Sequence, residues 1–113
     1  MRILPDEYVQ ELFEKIEKTG NEHARTKGRV AALMEMRKIH KSQLMQVKQA
    51  CGVTSTAAQE REAYADPTYQ EVVDRLVAAI EEEGRAAVAH SLAEKAWESW
   101  RTENANQRAA TRG

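Results

Sequence analysis

Proline, glycine and aromatic residues are scarce in this chain of 113 residues: two prolines, five glycines, two tryptophans, three tyrosines and one phenylalanine. Turn-rich and sandwich-like folds need more of all three, whereas alanine, glutamate, glutamine, lysine and arginine are abundant, so the chain is expected to be all-α. A lone cysteine, Cys51, excludes an internal disulfide and fits a reducing cytosol. It falls on an apolar helical face and reads as a small buried hydrophobe rather than a nucleophile. No apolar run approaches the roughly 18 residues of a membrane span, and residues 1–5, MRILP, lack a signal-peptide core, so a soluble cytoplasmic protein without membrane contact is expected. Catalytic signatures are missing too. No glycine loop could cradle a phosphate, no nucleophile stands with an oriented base, and His23, His40 and His90 lack metal spacing. Glu81, Glu82 and Glu83 are consecutive and splay around a helix instead of forming an acid–base pair. The expectation is a non-enzymatic chain with no catalytic residue, no cofactor and no metal.

Charge is plentiful, but it is segregated. The net charge of −1 hides six acids against two bases in residues 6–22. Residues 25–48 then carry Arg25, Lys27, Arg29, Arg37, Lys38, Lys41 and Lys48 against Glu35 alone. Residues 60–83 reverse the sign, with eight acids against Arg61 and Arg75, and Arg101, Arg108 and Arg112 return it at the end. A basic block of this density suits a polyanion. It also suits acidic helices facing basic ones, within a chain or between subunits.

The periodicity predicts four helices in one domain spanning residues 1–113. A short first helix, residues 1–21, opens at Pro5-Asp6-Glu7 and carries Val9, Leu12, Phe13 and Ile16 before Thr19-Gly20-Asn21 stops or kinks it. A long basic helix, residues 22–51, has the stripe Val30, Leu33, Met36, His40, Leu44, Val47 and Cys51, with Gly52 as its stop. Arg37, Lys41 and Lys48 lie within about 40° of one another on the flank of that stripe, where they either snorkel past a partner helix or line a groove. A short linking helix, residues 54–65, is capped by Thr54 or Ser55, with Thr56-x-x-Gln59 as a second candidate box. Asp66, pushed out of the α region by the following proline, ends it and caps a long fourth helix over residues 67–104 that starts at Pro67. That helix carries Tyr69, Val72, Val73, Leu76, Ile80, Ala87 and Val88, then Leu92, Ala96, Trp97 and Trp100. Gly84 inside it either admits another helix or marks a bend, and residues 105–113 are expected to fray. The resulting helical hairpin, with long second and fourth helices, encloses little core. A homo-oligomer is therefore expected, through a face including Tyr69, Leu76, Ile80, Trp97 and Trp100. Trp97 and Trp100, one turn apart and near Lys95 and Arg101, are packing anchors or base-stacking rings.

A resemblance enters with AAQEREAYADPTYQ, residues 57–70, preceded by MRKIHKSQLM and followed by a helix ending in WESWR. Over residues 27–108 this resembles small helical phage proteins encoded among early recombination genes. More distantly, the order of parts resembles the UvsY-like recombination mediators of T-even phages. There, a basic helix with a K-x-x-L-M-like run precedes a tyrosine-bearing link and a long C-terminal helix used in oligomerisation. The resemblance implies a ring-forming protein that binds single-stranded DNA and helps a RecA-like recombinase replace single-strand-binding protein. Arg37, Lys38, Lys41 and Lys48 match the basic run and become the expected nucleic-acid contacts; the chain is shorter than the family and its linker differs. The alternative is an adaptor or inhibitor that binds a host or phage protein through the acidic face and the tryptophan pair.

Overall fold

The computed structural model describes residues 6–112 and consists, over them, of three helices without a strand. These are α1 (Asp6–Ala50), α2 (Thr56–Ala65) and α3 (Pro67–Arg112). The all-α class holds, but the four-helix arrangement does not: the short first helix and the basic second helix are one continuous element. Thr19-Gly20-Asn21 fails as a stop, and Thr19 and Gly20 are both accommodated within the helix. The Thr19 hydroxyl donates back to the Lys15 carbonyl at 2.7 Å, so it does not compete with the helix. Gly20 lies under the His90 imidazole, where an added Cβ would stand 3.1 Å from Cε1. The inward positions Leu12, Ile16, Thr19 and His23 keep stepping by four and three through the motif. Pro5, expected at the helix start, lies outside the described residues, and so does Gly113. α3 continues to Arg112, past the end expected at residue 104, with Asn104 and Gln107 still half-buried.

The turn chemistry follows its residues. Gly52 takes φ +100°, and the amides of Gly52 and Val53 donate to the carbonyls of Gln49 and Lys48, both at 3.0 Å. This double bond satisfies the last α1 carbonyls and turns the chain out of the helix. Cys51 lies in this turn and is exposed, contrary to the buried position its spacing suggested. Ser55, of the two candidates, caps α2 by accepting from the Ala58 amide at 3.3 Å. Gln59 does not complete a box; its buried amide donates to the Val53 carbonyl at 2.7 Å and pins the connection. Asp66 adopts an extended backbone with ψ 131°, ends α2, and caps α3 by accepting from the Thr68 amide at 2.9 Å.

Two compact units divide the chain. One consists of Thr26–Glu83 and contains α2, the second part of α1 and the first part of α3. Its core is Leu33, Leu76 and Ala79 with Val30 against them, and Ala63 of α2 is fully buried. The other unit, here the terminal unit, consists of Met1–Arg25 and Gly84–Gly113. Leu12, Ala86 and Ala93 are buried there, and Phe13, Trp97 and Trp100 form a ring stack. In both units the inward residues step by three and four, as in a coiled-coil seam. In the 26–83 unit α1 contributes Val30, Leu33, Arg37, His40, Leu44 and Lys48, while α3 contributes Val72, Leu76, Ala79 and Glu83. In the terminal unit α3 contributes Ala86, His90, Ala93, Trp97 and Trp100.

Candidate nucleic-acid interface

The heptad-like step decides where the cations go. In the 26–83 unit, Arg37 and Lys48 occupy half-buried inward positions, whereas Met36 and Val47 are 48% and 54% exposed. A stripe chosen by hydrophobicity runs through Met36 and Val47; the observed seam runs one residue later at both places. Arg37, Lys41 and Lys48 therefore border the packed side of α1, all three half-buried, a position where long basic side chains can cover apolar surface with their stems.

Lys41 has the best-defined surroundings. Its ammonium lies 3.5 Å from Glu60 Oε1 and 4.7 Å from the centroid of the Tyr64 ring. A cation over an aromatic face is attracted by the ring quadrupole. The Tyr64 side chain, first, and the Glu60 charge hold the Lys41 ammonium above the usual lysine range, against some desolvation. Tyr69, on α3, meets Tyr64 in a T-shaped contact with centroids 5.2 Å apart. Tyr64 is 45% exposed and, with Ala57, Glu60 and Arg61, lines an open, shallow surface along one face of α2.

A polar chain holds the start of α3 beside α1. The Thr68 hydroxyl donates to Asp66 Oδ1 at 2.6 Å, so its oxygen is left to accept from His40 Nε2 at 2.8 Å. His40 thus carries its proton on Nε2 in this contact. The Thr68 hydroxyl and amide hold the Asp66 carboxyl below the usual carboxylate range, helped by the charges of Lys48 and His40.

The remaining candidates separate. Lys38 is exposed and pairs with Glu35, one turn before it, at 3.4 Å. Leu76, expected at an oligomer face, is buried in the core of its own unit, while Ile80 is 49% exposed. In the terminal unit Trp97 stands between Phe13, 4.5 Å away, and Trp100, 4.9 Å away, with the two indoles stacked. The Trp97 indole thus already has two ring partners, Phe13 and Trp100. Tyr64 and Thr68 were not singled out from the sequence, and Glu60 only as the start of the acidic stretch 60–83. The available signal was the helical spacing of Glu60 and Tyr64, which aligns a carboxylate and a ring on one side of α2.

Among the described residues no group of three or more His, Cys, Asp or Glu side chains could hold a metal ion, and no helix is long and apolar enough to cross a membrane. Compared with protein families, with curated proteins and with solved structures, the chain matches none.

Proposed function

We propose that this chain is a non-enzymatic, cytoplasmic protein that binds single-stranded DNA as a homo-oligomer and helps a RecA-like recombinase replace single-strand-binding protein. One observation carries the reading. Lys27, Arg29 and Arg37 have no acidic side chain within ion-pair distance among the described residues, and Lys48 acts on the Asp66 carboxylate only from beyond that distance. Of the α1 cations in this unit, Lys38 reaches its own helix neighbour Glu35 and Lys41 alone reaches across to an acid, Glu60. A seam built to neutralise itself would match more of them. Unmatched cations on one helix supply what a phosphate backbone requires, and releasing the counterions of the strand drives binding. The resemblance of residues 27–108 to phage recombination proteins supports the choice of single-stranded DNA and of a recombinase as partners.

The adaptor reading is favoured by a different observation: Met36, Ile39, Val47, Val77 and Ile80 of the 26–83 unit are all about half exposed. These side chains are apolar surface that a protein partner, another copy or another protein, would cover. Binding to a fluorescent oligo-dT at low salt, followed by loading of a recombinase onto strand coated with single-strand-binding protein, distinguishes the two. The mediator binds the strand and speeds loading. A protein that binds no strand at low salt is the adaptor.

A further inference from the structure

The nucleic-acid reading leaves open which ring, if any, takes a base. The tryptophan pair looks like the obvious choice, but the rings of Phe13 and Trp100 already flank Trp97. Tyr64 differs in three respects. It is 45% exposed, it shares an open face of α2 with Ala57, Glu60 and Arg61, and Lys41 stands on its ring. Lys41 also fixes its place relative to the other cations. On α1, Arg37 is one turn before Lys41 and Lys48 two turns after it, on one side of the helix. With a rise of 1.5 Å per residue, Arg37 and Lys48 are about 16 Å apart along the axis, and Tyr64 meets this row at Lys41, between its ends.

We infer that Tyr64 is the base-stacking platform of this chain: a single strand running from Arg37 to Lys48 passes Lys41 and lays one base against the exposed Tyr64 ring. This rests on the reading of the protein as a strand binder and deepens it. The chemistry is complementary. A neutral, flat base gains from an aromatic ring whatever its sequence. Arg61, one turn before Tyr64 on the same face of α2, carries a planar guanidinium with hydrogen-bond donors. Lys41 neutralises Glu60, which would otherwise repel the flanking phosphates. Tyr69 supports the ring from the start of α3, so the platform is held before a strand arrives.

The test uses the full chain and two probes of equal length and charge, oligo-dT and an abasic strand with the same phosphodiester backbone. The wild type should prefer oligo-dT by about 5- to 150-fold, the range expected for one stacked base. Tyr64→Leu, which keeps an apolar side chain on α2, should lose that preference, bind both probes with the affinity the wild type has for the abasic strand, and retain its salt dependence. Tyr64→Phe should retain the preference. As a check independent of any variant, light-induced crosslinking of a 5-iodouracil strand to the wild type should label Tyr64. A preference that survives Tyr64→Leu, or crosslinks at Trp97 or Trp100 instead, overturns the platform while leaving strand binding intact. Equal wild-type binding to both probes overturns it as well. Binding to neither probe overturns both the platform and the function on which it rests.

Discussion

The two units of this chain use one seam pattern for different ends. In the 26–83 unit the inward positions mix aliphatic residues with Arg37, His40 and Lys48, and a third helix, α2, adds Ala63, Gln59 and Tyr64. In the terminal unit two helical segments pack alanines, a Thr19–His90 hydrogen bond of 3.0 Å and an aromatic stack. The period sets which positions face inward, and the residue type at those positions sets what the unit can do. Cations held at a seam edge keep charge available in a defined row. Stacked indoles chiefly fill space.

The largest effect expected from this comparison concerns two leucines that look alike as apolar positions on α3. Leu76 is in the core of the 26–83 unit, and Leu92, in the terminal unit, is mainly exposed. Leu76→Ala should cost about 2–5 kcal/mol of unfolding free energy, whereas Leu92→Ala should stay within about 0.5 kcal/mol. Denaturant titration of both variants checks this, and a Leu92 cost as large as that of Leu76 would place an interface on that face.

Two glycines give the next effect. An alanine methyl at Gly84 meets nothing within 4 Å, so Gly84→Ala should stabilise the protein by about 1 kcal/mol through helix propensity. At Gly20 the same methyl would stand 3.1 Å from the imidazole of His90, which is tied to Thr19 and lies 3.4 Å from Glu94. Gly20→Ala should gain less or lose stability. Equal gains at the two sites, read from thermal melts, would show that His90 yields freely.

The smallest expected effect is at the cap of α3. Because Thr68 holds the Asp66 carboxyl low, the stabilisation from that cap is fully present above the ordinary carboxylate range and is lost as pH falls through the depressed folded value. Asp66→Ala should therefore lower Tm near neutral pH and differ less from the wild type in strong acid. A gap in Tm that stays constant between neutral pH and strong acid would contradict this.

These contrasts also mark how far the sequence could be read. Gly52, Ser55 and the Asp66-Pro67 pair announce their turns because each carries its own local chemistry: a positive φ, a short hydroxyl, and a carboxylate before a fixed φ. Thr19-Gly20-Asn21 misleads because accommodation of Gly20 depends on His90, distant in sequence. The choice between Met36 and Arg37, or Val47 and Lys48, was equally hidden, since it is the packing helix that decides which of two neighbours turns inward. The basic row of the candidate interface was thus legible in composition. Its partly covered position, and the ring of Tyr64 beside Lys41, needed the fold.

The central claim is that unmatched seam-edge cations contact a strand, and the salt dependence of binding tests it most directly. Each phosphate neutralised on a single strand contributes about −0.7 to the slope of log affinity against log salt. Arg37→Gln combined with Lys48→Gln should flatten the wild-type slope by about 1.4, with helix content unchanged. A double variant that keeps the wild-type slope on oligo-dT would contradict the claim.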